Sequence, residues 1–240
     1  YCGYDLWCFM SAMKEQFLDG EIILIDKPLD WTSFQVVNKI RWLIRSTFGI
    51  KKIKVGHAGT LDPLASGLLI LCTGKMTKSI EQFMGQEKEY TGTFTLGSTT
   101  PSYDLETEID NTFPINHITE ELLQVSLNQF VGTIDQYPPV FSALKKDGKR
   151  LYEFAREGIE VEIPTRKVNI RSFELTRKAI PKVDFKVICS KGTYIRSLAN
   201  DYGKALNSGA HLSTLRRTRI GEFNIEHAIS IEDFEKQIKK

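Results

Sequence analysis

No stretch of this 240-residue chain comes near the roughly eighteen consecutive apolar residues that a membrane-spanning helix needs, so no such helix is expected. Cysteine is scarce. The four, at positions 2, 8, 72 and 189, show no C-x-x-C spacing, and two of them lie in apolar runs where a thiol acts as a small hydrophobe. A reduced, cytoplasmic protein is the expectation. The four histidines, at 57, 117, 211 and 227, show no H-E-x-x-H or Cys/His ligand spacing, so no metal is expected. An excess of one charge is also missing: 32 Lys and Arg face 30 Asp and Glu, and a net charge of +2 does not by itself announce nucleic acid. Gly74-Lys75 does not make a phosphate-binding loop, because Leu69 stands where the first glycine belongs and Met76 where Ser or Thr belongs. There is no internal repeat and no low-complexity linker. Residues 1–19 lack the basic start and continuous apolar core of a secretory signal. A natural extension, a misplaced start upstream of Met10 or Met13, and a cloning remnant all remain open for them.

The chain does have enough apolar residues, 41%, to bury a sizeable core. Glu21 to Asp26 reads as a buried strand, and residues 30–33 as a turn and N-cap. A helix then runs to about Thr47, with Phe34, Val37, Ile40, Ile44 and Phe48 on one stripe. Leu68 to Cys72 is a continuous apolar strand, and 78–84 a short helix. Tyr90 to Leu96 alternates strictly, with Tyr90 on the apolar face. Further helices are expected at 119–130, 149–157, 194–206 and 231–239, and strands at 161–163, 168–175, 183–190 and 212 to about 221. Strands and helices intermingle without the even rhythm of a doubly wound sheet. The fold class is therefore α+β, with a central mixed, mostly antiparallel sheet. Local basic clusters at Lys51-Lys52-Ile53-Lys54, Lys145-Lys146, Lys149-Arg150 and Arg216-Arg217-Thr218-Arg219 are candidate phosphate contacts.

The chemistry is expected between Gly56 and Gly67, in Gly-His-Ala-Gly-Thr-Leu-Asp-Pro-Leu-Ala-Ser-Gly. Pro63 fixes its own φ and biases Asp62 toward extended geometry, while Gly56, Ala58 and Gly59 leave room beside the carboxylate for a flat ligand. Taken alone, Asp62-Pro63 also fits a helix N-cap with proline at the first helical position. The longer string resembles the catalytic motif of the TruB family of tRNA pseudouridine synthases. So do, in order, Leu24-Ile25-Asp26-Lys27-Pro28, Lys88-Glu89-Tyr90, Tyr137-Pro138-Pro139 with Phe141 to Lys145, Gly148 to Glu153, Cys189 to Arg196, and Gly209 through Arg217.

The resemblance implies a pseudouridine synthase fold around a catalytic cleft, spanning residues 20–240; many family members add a C-terminal PUA-type domain, and none is expected here because the sequence ends soon after the last matched block. It also implies isomerisation of a T-arm uridine, at position 55 of tRNA, by a monomer that needs neither cofactor nor metal. Asp62 would be the nucleophile, with attack at C1′, attack at C6 of the base and a first step as base toward a glycal all open. Arg196 would be its planar cationic partner, with Tyr90 a stacking ring that takes part in proton removal. His57, Tyr194, Lys27, Lys78, Arg216 and Arg217 would bind substrate. At residues 100–104 related sequences often carry Asp where Pro101 stands, so Asp104 is a candidate replacement. A pseudouridine synthase acting on another RNA, and a non-catalytic RNA-binding or tRNA-folding module, are the alternatives. An aspartate-nucleophile hydrolase would want a second, metal-binding acid near Asp62, and none lies between Val55 and Lys75.

Overall fold

A computed structural model describes residues 2–240, with side chains from Cys8 onward. The chain divides into two units, one made of residues up to Gln86 together with Arg216–Lys240, the other of Glu87–Leu215.

The first unit opens with helix α1 (Cys2–Asp19), then β1 (Ile22–Lys27), α2 (Ser33–Phe48), β2 (Val55–His57), β3 (Ala65–Thr73), a 3-10 turn at Gly74–Ser79, and α3 (Ile80–Met84). β3 pairs antiparallel with both β1 and β2. Its uninterrupted apolar run has a simple cause. Leu69 and Leu71 enter one buried cluster with α2, while Leu68, Ile70 and Cys72 enter a second on the other face. In β1 the buried parity is Ile23, Ile25 and Lys27, so strand alternation itself carries a lysine inward. α2 starts at a capping box in which Thr32 accepts from Gln35 N and Gln35 accepts from Thr32 N, and it ends at left-handed Gly49. Its buried stripe is Val36, Val37, Ile40, Leu43, Ile44 and Phe48. Phe34, expected on that stripe, is 63% exposed. It lies about 110° round the helix from the stripe's centre at about 3.6 residues per turn.

Residues 1–19, read from the sequence as preceding the catalytic domain, end in a helix that packs into this core. Phe17 is buried against Phe48 and Phe234, with ring centroids 5.6 and 6.3 Å away, and its carbonyl accepts from Thr73 Oγ1 at 2.8 Å.

The second unit runs through β4 (Lys88–Leu96), β5 (Ser98–Thr99), β6 (Asn111–Thr112), α4 (Glu120–Asn128), β7 (Gly132–Gln136), β8 (Lys145–Lys146), β9 (Lys149–Arg150), α5 (Leu151–Arg156), β10 (Arg166–Ala179), β11 (Lys182–Cys189) and α6 (Ile195–Ala205). β4, β11, β10 and β7 form an antiparallel sheet in that order. Phe94, Phe173, Phe185 and Tyr202 build its aromatic core, and the Tyr202 hydroxyl donates to Leu123 O at 2.8 Å. No strand forms at 161–163. The backbone there joins no ladder, and Glu162 O accepts from the Lys146 side chain at 2.7 Å. The helix expected from Lys149 begins only at Leu151, because Lys149 and Arg150 pair with Lys145 and Lys146 across the left-handed Asp147-Gly148 turn.

β12 (Ala210–Ile220) passes from the second unit into the first, which then adds β13 (Phe223–Asn224), a 3-10 turn at Ile225–His227, and α7 (Ile231–Ile238). The helix and strand content is α+β. The ladders within the two units are antiparallel, with one isolated parallel bridge, Ile25 to Ile229.

Candidate active site

Asp62 sits in an irregular loop between β2 and β3, not at a helix start, so the N-cap alternative falls away. Ala65 N donates to Asp62 O at 3.0 Å and closes the Pro63-Leu64 turn that feeds directly into β3. The loop's backbone is tied down on several sides. Leu61 N donates to Ser33 Oγ at 2.8 Å, Ser33 Oγ donates to Leu61 O at 3.1 Å, and Asp30 N donates to Pro63 O at 2.8 Å. The start of α2 therefore braces the residue before Asp62 and the residue after it.

Arg217 braces the loop from within. Only 1% exposed, it donates to Leu68 O at 2.8 Å, Gly59 O at 3.0 Å and Thr60 O at 3.5 Å. It was expected to meet phosphate. Its position on β12 turns it inward instead, and its fork is occupied by carbonyls of the catalytic loop and β3. The close approach needs Gly67: at φ +109°, a Cβ there would lie 2.3 Å from Arg217 O. Arg216, one residue along and on the other side of the strand, forms a forked pair with Asp26 at 3.0 and 2.8 Å and reaches Ser66 Oγ at 3.3 Å. It too is engaged by protein, though it remains half-exposed.

Lys27 is likewise engaged by the protein. Expected to bind substrate, it is fully buried, and its Nζ donates to Pro28 O at 2.8 Å and Trp31 O at 2.6 Å. Burial pushes its pKa down to about 8; Asp62 and then Asp30 pull it back up, and Arg217 adds to the fall. Lys27 thus lies within the electrostatic reach of Asp62 while its donors hold the turn after β1. His57, on β2, is held below the ordinary histidine range first by burial and then by Arg217, with a backbone contact to Gly59 opposing. Its Nδ1 is buried and has no hydrogen-bond partner among the described residues. Lys78 is exposed on the 3-10 turn before α3.

In the second unit, Tyr90 is 9% exposed on β4, opposite Val187 of β11. Arg196, at the start of α6, is buried. Its Nη1 donates to Phe141 O at 2.7 Å and Ser102 O at 3.4 Å, and its Nε lies 4.0 Å from Asp104 Oδ2. Asp104 is itself buried and accepts from Ser102 Oγ at 2.6 Å and Glu106 N at 3.0 Å. The loop that departs from the family pattern at Pro101 therefore still brings a carboxylate to Arg196. Tyr194 caps α6, and the Arg166 guanidinium stands 5.4 Å from its ring centroid. Gln136 escaped the sequence reading. It is fully buried, accepts from Tyr194 N at 2.8 Å and donates to Tyr194 O at 3.1 Å, fixing the turn into α6. Its only sequence signal is its place directly before the Tyr137-Pro138-Pro139 block.

Among the described residues, no three His, Cys, Asp or Glu side chains converge to hold a metal, and no helix is long and apolar enough to cross a membrane. Burial pushes the Cys72 thiol up to about 11 and the Cys189 thiol up to about 12, so both stay protonated and behave as core atoms.

Residues 45–195 match the family model described as TruB family pseudouridylate synthase (N terminal domain), and residues 196–240 the tRNA pseudouridylate synthase B C-terminal domain. A Flavobacterium johnsoniae protein named tRNA pseudouridine synthase B is 61% identical over 226 residues, covering 94% of this chain and 99% of that protein. A Phocaeicola vulgatus protein of the same name is 57% identical over 218 residues, covering 91% of this chain and 93% of that one. Among solved structures, a chain of a Cbf5-Nop10-Gar1 complex aligns with TM-score 0.70 at 30% identity, covering 93% of this chain and 56% of its own. A chain of an H/ACA RNP bound to a substrate RNA containing 2'-deoxyuridine aligns at 0.66 and 28%, covering 94% and 55%. Fold and motifs together define a pseudouridylate synthase. Within that class, the chain belongs to the TruB family.

Proposed function

We propose that this protein converts uridine to pseudouridine in the T arm of tRNA, at position 55. The observation that carries the reading is the nearly end-to-end match, at 61% and 57% identity, to proteins named tRNA pseudouridine synthase B, with the Asp62 motif intact. The reaction breaks the N1–C1′ bond, turns the uracil, and joins C5 to C1′. Nothing is oxidised and no group departs. What it requires is a well-placed carboxylate, a flat cavity and shelter from water.

Asp62 is the nucleophile, a role carboxylates also take in glycosyl transfer. The bracing by Ser33, Asp30 and Arg217 supports this role, because a reacting carboxylate gains from a loop that does not reorganise during the reaction. Arg196 supplies a planar cationic fork to the reaction, its own guanidinium anchored on Phe141 O and Ser102 O. Tyr90 offers its ring to the uracil and its hydroxyl to proton removal from C5. The target base must leave its stack to expose C1′ and C5, and His57 and Tyr194 hold the flipped nucleotide. A His57 held below the ordinary histidine range by burial and Arg217 suits hydrogen bonding or stacking as a neutral ring. Lys78 contacts phosphate. Lys27, Arg216 and Arg217 serve the substrate indirectly, Arg217 through the Asp62 loop, Lys27 through the turn after β1 and Arg216 through Asp26 and Ser66.

The test is incubation of the protein with unmodified tRNA, without added metal, followed by mapping of pseudouridine. Conversion at one T-arm uridine is expected. Conversion of a different RNA only, or binding without conversion, would replace this reading with one of its alternatives.

A further inference from the structure

Although the whole chain carries a net charge of only +2, residues 31–61 contain six Lys and Arg and not one Asp or Glu. The remainder of the chain is therefore net negative, and the positive charge is concentrated on α2 and the segment that follows it. Elsewhere acids are interspersed with the cations and pair with several of them, as in Lys75 with Asp19, Lys149 with Glu157, Arg177 with Asp184 and Arg216 with Asp26. None of the six takes part in an ion pair among the described residues.

Three of the six are nevertheless held in place. Arg41 donates to Val55 O at 2.9 Å and to Asn38 Oδ1 at 2.8 Å, and Arg45 donates to Ile50 O at 3.3 Å. The Lys39 ammonium stands 4.8 Å from the ring centroid of Trp42, which is itself 56% exposed. The field of Glu235, on α7, reaches Lys39 without a contact. These tethers are to carbonyls, an amide and a ring, so they fix the cations without cancelling their charge. Lys51, Lys52 and Lys54 are exposed beside them. A surface that keeps several charges aligned and unpaired has already met part of the ordering cost of binding a polyanion.

The placement sets a distance. α2 is braced against the Asp62 loop at its first residue, Ser33, and its sixteen residues span about 24 Å. The cations of its last turns and of residues 51 and 52 therefore begin about 20 Å from the catalytic loop, or about six base steps along a nucleic-acid strand. We propose that the acid-free face formed by the C-terminal half of α2 and residues 51–54 binds the phosphate backbone of the RNA stem flanking the target loop, several base pairs from the reacting uridine. This rests on the tRNA reading above and adds to it a second contact, away from the flipped-base pocket.

The experiment uses two hairpins that share the target loop, one with a stem of about four base pairs and one of about twelve, so that only the longer reaches the face. Binding is titrated over a range of salt for the parent, for Arg45→Gln/Lys51→Gln/Lys52→Gln, and for Lys51→Glu/Lys52→Glu, which disturbs no hydrogen bond. On the long hairpin the variants should bind about tenfold more weakly, and the triple variant's salt slope should fall by about two. On the short hairpin both should stay within about twofold of the parent. An unchanged slope on the long hairpin, or equal losses on both, overturns the proposal; an unchanged slope leaves the face to an acidic protein partner. A parent that forms no pseudouridine in either hairpin overturns the tRNA reading itself, whatever the slopes.

Discussion

Two basic runs, Lys51-Lys52-Ile53-Lys54 and Arg216-Arg217-Thr218-Arg219, look alike in the sequence and behave oppositely in the fold. In the first, Ile53 alone turns inward and the three lysines stay exposed. In the second, strand β12 sends Arg217 into the interior beneath the Asp62 loop and pairs Arg216 with Asp26. The lesson concerns backbone as much as charge. A loop segment can expose every polar side chain it carries, while a strand must send alternate residues to opposite faces, and a guanidinium sent inward survives only where carbonyls meet it.

The sharpest way to break that comparison is Arg217→Met. It removes the donor from the carbonyls of Leu68, Gly59 and Thr60 inside the protein, and should cost about 3 kcal/mol or more in urea denaturation. Lys51→Gln, measured alongside, should stay within about 0.5 kcal/mol of the parent. Equal stabilities for the two variants would dissolve the distinction.

Next in size is removal of residues 1–19. Their removal takes away the Phe17 ring and the Phe17 carbonyl that receives Thr73, so a loss of about 2 to 3 kcal/mol is expected from buried ring area alone. A truncated protein that melts with the parent would show that this helix merely rests on the core. The smallest effect belongs to Arg216→Ala. Its pair with Asp26 is half-exposed, and water screens it, so no more than about 1 kcal/mol should be lost. A much larger loss, again by denaturation, would mean that the Asp26 fork is as structural as its buried neighbour.

What the sequence made legible follows the same division. The β3 run, the α2 stripe from Val37 onward, the alternation that turns Tyr90 inward and the buried cysteines could all be read, because burial follows directly from local apolar pattern. Phe34 and Trp42 show the limit: an apolar residue can stand on a solvent face, and periodicity alone does not say where the stripe ends. The positions of the motif residues could be read, but not the work some of them do. Lys27 and Arg217 were visible as charges; that both point inward depends on strand parity and on carbonyls contributed by residues far away in the chain. Gln136 gave almost no signal, since a buried glutamine bonded to a helix-capping turn leaves no periodic trace.

In the proposed reaction Asp62 performs the chemistry while other groups hold its loop and the RNA. The most direct measurement is pseudouridine formation and tRNA binding by Asp62→Asn, side by side with the parent on unmodified tRNA. No detectable pseudouridine is expected, with affinity within about tenfold, roughly 1.4 kcal/mol, because phosphate contacts dominate binding. Turnover by Asp62→Asn near the parent rate would contradict it outright.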